Sequence, residues 1–348
     1  MAAVSAADGA ALENDLRIAE INDVASVASE LSTGLRARGH DVVLFQPKLA
    51  GGHLPGLIKP AVVPMRALEW AQLVRSVRAG HFDVLHIHYA YIGMVGVLSG
   101  LPYILHCHGS DVWGLTPITR WPATRALKGA AHVFYSTPDL AVHTLRHRPD
   151  AEFLPNPIDW RTFAPTQGAG ESSDVYVACA LDDLKGGPRI LDACRRLAEL
   201  RPGVRVTVTA RGKYVPEFAA LPNVSVIPAQ ERAALPGVIN RHGIVIGQVN
   251  LGAAGMAELE AMSCARPVVA SFTYGTAYPE PPPFVQANTG SGIAEAVVRL
   301  LDDEALRRRT GEEGREWIQR YHDFDAIVDR VEAVARRAVE GGRAKAMW

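Results

Sequence analysis

The chain has 348 residues, of which 48% are hydrophobic, and its 36 Lys and Arg nearly balance its 37 Asp and Glu, for a net charge of −1. This length predicts two domains, each large enough for a core of its own. The charge balance argues against non-specific nucleic-acid binding as the main task. No apolar run reaches the roughly 18 residues that indicate a membrane span.

The four cysteines and the first residues indicate a cytoplasmic protein. The cysteines are scattered without C-x-x-C spacing and are interpreted as small core residues in a reducing compartment: Cys107, Cys179, Cys194 and Cys264. Residues 1–15 are Ala-rich and lack the basic start of a signal peptide. They are predicted to be a disordered tail or an extension from the translation start.

The first half of the chain alternates short apolar runs with amphipathic segments. The predicted strands are Leu16–Ile21, Asp41–Phe45, Val84–His88, Tyr103–Cys107, His132–Ser136 and Glu152–Pro155. The helical patterns include Ala25–Gly39, Leu68–Ala79 and Pro138–Arg146. Apolar strands separated by helices predict a parallel sheet that is covered on both faces.

A segment rich in Pro, Gly and Ser, residues 163–173, has the composition of a linker, after which the alternation restarts. The predicted strands are Asp174–Ala180, Val204–Ala210, Val224–Pro228, Ile244–Gln248 and Pro267–Phe272. The predicted helices are Gly187–Leu200, Arg232–Arg241, Met256–Cys264 and Gly292–Leu301. The chain is therefore divided into an N-terminal domain, 16–165, a C-terminal domain, 166–325, and a last helix, 326–348.

The end of the chain, Glu304–Arg343, is a charged helical region with a predicted break at Tyr321–Phe324. Its apolar residues recur at helical spacing: Ile327, Val331, Val334 and Ala338. Such a stripe needs a partner surface. Ordinary core packing and a membrane surface are both open.

A glycine-bearing turn, Asn250–Gly255, opens the helix that contains Glu260. Helix N-termini bind anions because free backbone N–H groups and the helix dipole point at the ligand. Gly255, Met256 and Ala257 are the candidate donors, and the Glu260 carboxylate suits the paired hydroxyls of a ribose. The alternatives are a simple tight turn and a surface carboxylate, as Glu258 is expected to be.

Lys185 follows an apolar strand at its carboxyl end, where an ammonium can neutralise a diphosphate. The alternative is a solvent-exposed lysine at a helix start. His108 follows another strand in a Gly-Ser turn. It is expected to be an exposed loop residue rather than part of the core. His86 and His88 lie within an apolar strand and are interpreted as core or cleft-lining groups, without a metal.

The loop after the first strand, Asn22–Ser26, is positioned to contact a donor phosphate or an acceptor hydroxyl. Asn22 and Asp23 are its candidate residues. Asp23 or Ser26 could equally be no more than the cap of the following helix.

Several segments, in this order, resemble the family-4 type of retaining glycosyltransferases. They are Leu35–Val42, Phe82–His88, His106–Asp111, Leu154–Asp159, Lys185–Gly186, Glu260–Cys264 and Pro267–Ala270. The resemblance implies an α/β GT-B fold, in which two Rossmann-like doubly wound domains face each other across a cleft. It also implies that the C-terminal helix packs back on the N-terminal domain.

The resemblance further implies an enzyme that moves a sugar from a nucleoside-diphosphate donor, UDP- or GDP-linked, to an acceptor hydroxyl with retention of configuration. Lys185 would stabilise the leaving diphosphate and Glu260 would hold the ribose. His108 would support the sugar, with Asp111 orienting it. The N-terminal domain would bind the acceptor. No cofactor and no metal are expected, because no Asp-x-Asp pair ends a strand.

Two positions depart from the family pattern. Ala180 stands where members carry an arginine, and Gly252 stands where a first glutamate normally meets the donor sugar. Arg211, followed by Gly212 after a strand, is the candidate substitute cation, since a guanidinium grips phosphate oxygens bidentately. These departures keep two alternatives open: a non-catalytic nucleotide-sugar-binding subunit, and a nucleotide-sugar epimerase of the same fold.

The acceptor is not fixed by the sequence. Trp113, Trp121, Arg120 and Arg125 are candidates to line an acceptor site or to contact a lipid surface. A glycan, a lipid-linked intermediate and a small natural product all fit. Peripheral membrane contact is therefore an open expectation.

Overall fold

The computed structural model describes residues 15–47, 63–168 and 172–346, so the predicted extension lies almost wholly outside the described residues. The chain forms two compact units. The first unit takes the chain up to Ser136, Leu140–Leu154 and the chain from Asp325 onwards. The second unit takes Thr137–Asp139 and Pro155–Phe324.

The first unit contains a six-stranded sheet in which all strands are parallel. Its strands are β1 Arg17–Ile21, β2 Asp41–Phe45, β3 Val84–His88, β4 Tyr103–Cys107, β5 His132–Tyr135 and β6 Glu152–Phe153. They lie in the order β2-β1-β3-β4-β5-β6. All six predicted strands are confirmed, some with shorter ends.

The helices of the first unit are α1 Val27–Ala37, α2 Val63–Ala79, α3 Met94–Ser99, α4 Pro117–Gly129, α5 Ala141–Thr144 and α12 Phe324–Ala346. Helix α4 was not among the predicted helices, because Pro122 interrupts its pattern. It begins where the Thr116 side chain accepts a hydrogen bond from the Thr119 N–H. One face of the sheet packs a core that includes Ile21, Ile87 and Leu105.

The last helix, α12, packs on the first unit, as predicted. Arg38, just after α1, forms an ion pair with Asp329 at 2.6 Å, and Arg330 pairs with Glu152 at 2.9 Å. Each side chain of the stripe is at most 7% exposed: Ile327, Val331, Val334 and Ala338. Core packing is therefore the correct alternative for the stripe, and the membrane-surface alternative is wrong.

The second unit contains another parallel sheet of six strands. Its strands are β7 Val175–Val177, β8 Val206–Thr209, β9 Val224–Ile227, β10 Ile244–Ile246, β11 Val268–Ala270 and β12 Val285–Gln286. They lie in the order β12-β11-β10-β7-β8-β9. The five predicted strands are confirmed in shortened form, and the two-residue β12 was missed.

The helices of the second unit are α6 Gly187–Leu200, α7 Val215–Ala219, α8 Leu235–Asn240, α9 Met256–Ser263, α10 Gly290–Asp302 and α11 Glu304–Tyr321. Helices α6 and α10 flank the core formed with β7, β8 and β10. In each sheet the strand order reverses beside the unit's first strand. Ligands of doubly wound sheets bind at this switch point, outside the carboxyl ends of the strands.

Candidate functional site

The switch point of the second unit lies between β7 and β10, which are adjacent and parallel. The loop after β7 carries Lys185, and the loop after β10 leads to α9. The two loops are joined because the Val249 N–H donates to the Lys185 carbonyl at 3.0 Å, and the Asn250 side-chain amide donates to the Asp183 carbonyl at 3.2 Å. Lys185 thus follows the carboxyl end of a strand, as predicted, and shares that edge of the sheet with the α9 N-terminus.

Lys185 itself is half-buried in the loop between β7 and α6. Its backbone N–H donates to the Asp182 carboxylate at 2.9 Å, which shapes the turn. Within the described part of the chain, no carboxylate pairs with its ammonium, whereas Lys213 in the neighbouring loop pairs with Asp183. The Lys185 charge is thus available to an anion that arrives at this edge.

Arg211 and Gly212 lie in the loop after β8, the other neighbour of β7. The Leu181 N–H donates to the Arg211 carbonyl at 2.8 Å, and the Tyr214 N–H donates to the Leu181 carbonyl at 3.0 Å. Gly212 has φ +116°, and a Cβ there would run into the Leu181 backbone. The structure therefore brings the Arg211 loop against the Lys185 loop and leaves Arg211 exposed.

Glu258 is not the surface carboxylate that the sequence led us to expect, because its side chain is 2% exposed. One carboxylate oxygen accepts the Gly255 N–H at 2.8 Å and the other accepts the Gln248 N–H at 2.8 Å. Gly247 makes room for it, since a Cβ at Gly247 would collide with the Glu258 side chain. Glu258 thus fixes the turn that opens α9.

This contact changes the set of predicted phosphate donors. The Gly255 N–H is occupied by Glu258, so of the three predicted donors Met256 and Ala257 retain first-turn N–H groups that no helical carbonyl reaches. The helix N-terminus keeps the positive end of its dipole toward the same edge. Gly255 is therefore a structural residue of the turn in this structure.

Glu260 is 4% exposed and forms an ion pair with Arg232, which the sequence analysis did not single out. The Arg232 guanidinium also lies over the Phe163 ring, 4.9 Å from its centroid. Arg232 lies in the segment between β9 and α8, 28 residues before Glu260. At that separation no sequence motif predicts that the two side chains meet. Both belong to the second unit, so Arg232 orients the carboxylate that was predicted to bind a ribose.

Gly252 explains why the expected sugar-contacting glutamate is missing. Its φ is +71°, and a Cβ built there would collide with the Thr273 hydroxyl. The Thr273 N–H also donates to the Gly252 carbonyl at 2.9 Å. A side chain at this position would therefore require both a strained backbone and a movement of the Thr273 side chain.

In the first unit, the switch point lies between β1 and β3, and Asn22 joins the two strands there. Its side-chain amide donates to the His88 carbonyl at 3.0 Å, and its φ is +70°. Asp23 accepts the Ala28 N–H at 3.1 Å and the Ser29 hydroxyl at 2.5 Å. Asp23 thus caps α1, which is the alternative that the sequence left open.

Asp111 holds the backbone of the loop after β4 rather than the His108 ring. Its carboxylate accepts the N–H groups of His108 at 3.1 Å, Gly109 at 2.6 Å and Ala90 at 2.8 Å. Burial raises the pKa of Asp111 to about 6, although these three donors oppose the shift. The prediction that Asp111 orients the imidazole is therefore replaced by a role in the loop.

The His108 ring is oriented by His88. Nε2 of His108 lies 2.8 Å from Nδ1 of His88, whose Nε2 lies 2.8 Å from a Glu20 oxygen. His108 is half-buried rather than exposed. Burial lowers the pKa of His108 well below its usual value, and the neighbouring His88 and His86 add to this effect. His108 is accordingly a neutral imidazole at the end of a Glu–His–His chain.

Glu20, His86, His88 and His106 form a buried cluster on one face of the first sheet. Glu20 is in register with His86, and His88 with His106. Burial raises the pKa of Glu20, but His86 and His88 outweigh it and lower the pKa to about 2. Burial lowers the pKa of His106 well below its usual value. The signal that sequence reasoning missed was the H-x-H spacing repeated in adjacent strands.

None of the described helices is long and apolar enough to cross a membrane. The four described tryptophan and arginine candidates for an acceptor or lipid contact lie near or in α4. There, Trp113 is 41% and Trp121 68% exposed. These exposures are compatible with an acceptor site and carry no assignment by themselves.

Comparisons with known proteins agree with this architecture. Residues 24–161 match the family described as Glycosyltransferase Family 4. A search of curated protein sequences returned no match.

Solved structures are similar in fold. Sucrose-phosphate synthase from Thermosynechococcus elongatus is 17% identical, with a TM-score of 0.73 over 94% of this chain and 100% of that one. Anabaena Alr3699/HepE in complex with UDP and glucose is 12% identical, with a TM-score of 0.69 over 92% of this chain and 100% of that one. The catalytic domain of Arabidopsis thaliana starch synthase IV, bound to ADP and acarbose, is 15% identical, with a TM-score of 0.66 over 94% of this chain and 100% of that one.

These structures are too distant in sequence to support more than the fold, and the family match spans most of the N-terminal sheet. The family match covers residues 24–161, and the likeness to solved structures shows that the chain has the two-unit α/β fold of GT-B glycosyltransferases.

Proposed function

We propose that the chain transfers a sugar from a nucleoside-diphosphate donor to an acceptor hydroxyl with retention of anomeric configuration. The observation that carries the proposal is the edge of the second sheet, where Lys185, Arg211 and the α9 N-terminus lie on three loops, and the Lys185 loop hydrogen-bonds to the other two. Two cations and a helix N-terminus at a switch point suit a diphosphate.

The proposed role of this edge is to stabilise the negative charge of the leaving diphosphate. As the bond between the anomeric carbon and the donor oxygen breaks, negative charge grows on the leaving diphosphate. The Lys185 ammonium and the Arg211 guanidinium neutralise that charge without a metal ion, and electrostatic help of this kind is often the largest catalytic term. The acceptor hydroxyl attacks from the same face and gives its proton to the leaving phosphate oxygen.

Glu260 is proposed to hold the ribose of the donor. The ion pair with Arg232 fixes its orientation within the second unit. The donor is proposed to be a UDP- or GDP-sugar. Support for a nucleotide sugar comes from relatives in fold whose structures contain UDP with glucose and ADP with acarbose.

His108 is proposed to contact the donor sugar. Its ring is held by His88, which in turn contacts Glu20, so the imidazole has a defined orientation. Because Nε2–H of His108 donates to Nδ1 of His88, the neutral ring keeps the lone pair of its own Nδ1, which accepts a hydrogen bond from a sugar hydroxyl. The acceptor is proposed to be a glycan, a lipid-linked intermediate or a small natural product, bound by the first unit.

One observation favours a second candidate, a non-catalytic subunit that binds nucleotide sugars. Gly252 has no space for the glutamate that members of the family use on the donor sugar, and Ala180 replaces their arginine. A binding subunit would keep the diphosphate edge and lose turnover. An epimerase would instead return an isomerised donor.

The test measures turnover and binding together. The protein is incubated with UDP- and GDP-sugars and a panel of acceptors, and the products are analysed by mass spectrometry and NMR. We expect an α-linked product. Lys185→Ala is expected to lower kcat by at least about a hundredfold, since one lost electrostatic contact of this kind costs about 2.7–4 kcal/mol. Binding without turnover would favour the subunit, and isomerised donor the epimerase.

Lys213→Ala is the matched control, because Lys213 lies in the adjacent loop but is already paired with Asp183. We expect it to retain at least half of the wild-type kcat. If Lys185→Ala retains full turnover while folded, the proposed role of Lys185 is wrong.

A further inference from the structure

The histidine cluster of the first unit brings three imidazoles within coordinating reach. One ring nitrogen each from His86, His88 and His106 lies within 4.8 Å of the other two. His86 and His88 are two residues apart in β3, and His106 is the register partner of His88 in β4. All three side chains are at most 1% exposed.

The cluster contains buried ring nitrogens with no hydrogen-bond partner among the described residues. They are both ring nitrogens of His106 and the Nε2 atom of His86. Leaving a buried polar atom unpaired costs about 1–3 kcal/mol. His86 and His106 thus each offer an unpaired ring nitrogen within the cluster, which indicates that a ligand belongs there.

Glu20 lies behind two of the three imidazoles. Its oxygens contact Nδ1 of His86 at 3.0 Å and Nε2 of His88 at 2.8 Å. A carboxylate accepts hydrogen bonds, so these two nitrogens carry the protons. The lone pairs are then on Nε2 of His86 and Nδ1 of His88. A carboxylate that receives the second N–H of a coordinating histidine is the usual support of a metal ligand.

We propose that the first unit holds one divalent transition-metal ion, of the zinc class, coordinated by His86, His88 and His106, with Glu20 orienting the first two. Imidazole nitrogens suit zinc, which binds them at about 2.0–2.1 Å. Three ligands from two adjacent strands are typical of a site with one further position, which water fills. The site is separate from the diphosphate edge, which is built from the second unit's residues, and it adjoins His108 through His88.

For binding of the ion, the imidazoles move inward. Tetrahedral ligands at that bond length are about 3.4 Å apart, against separations of up to 4.8 Å among the three nitrogens. Nδ1 of His88 also leaves Nε2 of His108, its present neighbour. Both changes are rotations of side chains within the cluster, and the strand pairing of β3 with β4 is retained.

The experiment uses the full chain without a histidine tag, stripped with a chelator and dialysed against Zn²⁺ or Co²⁺. We expect one ion per chain by mass spectrometry of the metal, a visible Co²⁺ spectrum typical of four-coordinate nitrogen ligation, and zinc X-ray absorption with imidazole scattering. Glu20→Gln is expected to weaken affinity by about 10–100-fold, the usual effect of losing such a carboxylate.

His106→Gln is expected to abolish stoichiometric binding. His132→Gln is the matched control, because His132 lies on the same sheet face in β5, outside the cluster, and we expect it to bind one ion as the wild type does. The wild-type absorption and cobalt spectra test the ligands even where a variant fails to fold. Retention of less than a tenth of an ion by the wild type, equal retention by folded His106→Gln, or scattering without imidazole would each overturn the proposal.

Discussion

At Gly252 the backbone rather than the side chain decides what chemistry is possible. A φ of +71° strains any residue with a Cβ, and the Thr273 hydroxyl occupies the space that a Cβ would take. The glutamate of the family pattern would therefore need a strained backbone and a displaced Thr273 side chain at this turn. A sugar contact at this point has to come from other residues.

Gly252→Glu is expected to destabilise the protein by about 1–3 kcal/mol, because it combines backbone strain with a collision. Gly252→Ala should cost a similar amount, since the Cβ is the cause. Urea unfolding followed by circular dichroism measures both. Gly275→Ala, whose Cβ would meet nothing within 4 Å, is the control and should change stability by less than about 0.5 kcal/mol. A Gly252→Glu protein that is as stable as the wild type would contradict the argument.

Other residues of the site differ in how far their sequence context predicts them. Lys185 was predicted correctly to follow the carboxyl end of a strand, because an apolar strand followed by a helix start fixes its position. Glu258 was wrongly predicted as exposed, because only the space beside Gly247 shows that its side chain turns inward. Its two backbone partners lie in the turn and in the loop after β10.

At the scale of elements, the break between α11 and α12 forms a packed junction. The His322 N–H at Nδ1 donates to the Asn156 carbonyl at 2.8 Å, and its Nε2 accepts from the Tyr278 hydroxyl at 2.9 Å. The Ile158 N–H donates to the His322 carbonyl at 3.0 Å. The predicted break at Tyr321–Phe324 is thus where the chain is fixed to the segment after β6, within the second unit.

This junction predicts a pH dependence of stability. Burial lowers the pKa of His322 from 6.5 to about 4, although the bond to Asn156 opposes the shift. As the pH falls from 6.5 to about 4, the unfolded chain takes up a proton that the folded chain refuses. The stability is present above pH 6.5 and is lost over this interval, by about 3 kcal/mol.

The measurement compares urea unfolding of the wild type and His322→Gln at pH 7.5 and pH 4.5. The variant loses the hydrogen bonds at both values, so its stability is lower throughout. The expected result is that the wild type loses about 2–3 kcal/mol more than the variant between the two pH values. Equal losses in the two proteins would show that His322 titrates normally.

On the scale of the whole molecule, the chain repeats one architecture twice, each time as a parallel sheet whose order reverses beside its first strand. In the second unit, the loops at the reversal carry cations and a helix N-terminus. In the first unit, they carry Asn22 and the loop held by Asp111, beside the histidine cluster. Similar folds thus present different chemistry at the corresponding edges.

The distribution of these groups predicts where a nucleotide protects the backbone. Hydrogen exchange followed by mass spectrometry, with and without UDP or GDP, should show slowed exchange in residues 181–187, 210–214 and 248–257, because a bound ligand stabilises the loops that contact it. Lys185→Ala should reduce the protection at a fixed nucleotide concentration. Protection confined to residues 22–26 and 108–111 would assign the diphosphate to the first unit instead.

The alternation of strands and helices, the two α/β halves, the last helix and the positions of Lys185 and Arg211 at strand ends can all be predicted from the amino-acid sequence. Local patterns suffice for these because burial on both faces of a parallel strand requires a continuous apolar run. The pairing of Arg232 with Glu260, the burial of Glu258 and the contacts of Glu20 with His86 and His88 arise only in the folded chain. Strand register and loop packing bring together residues far apart in the chain, and no local pattern encodes those distances.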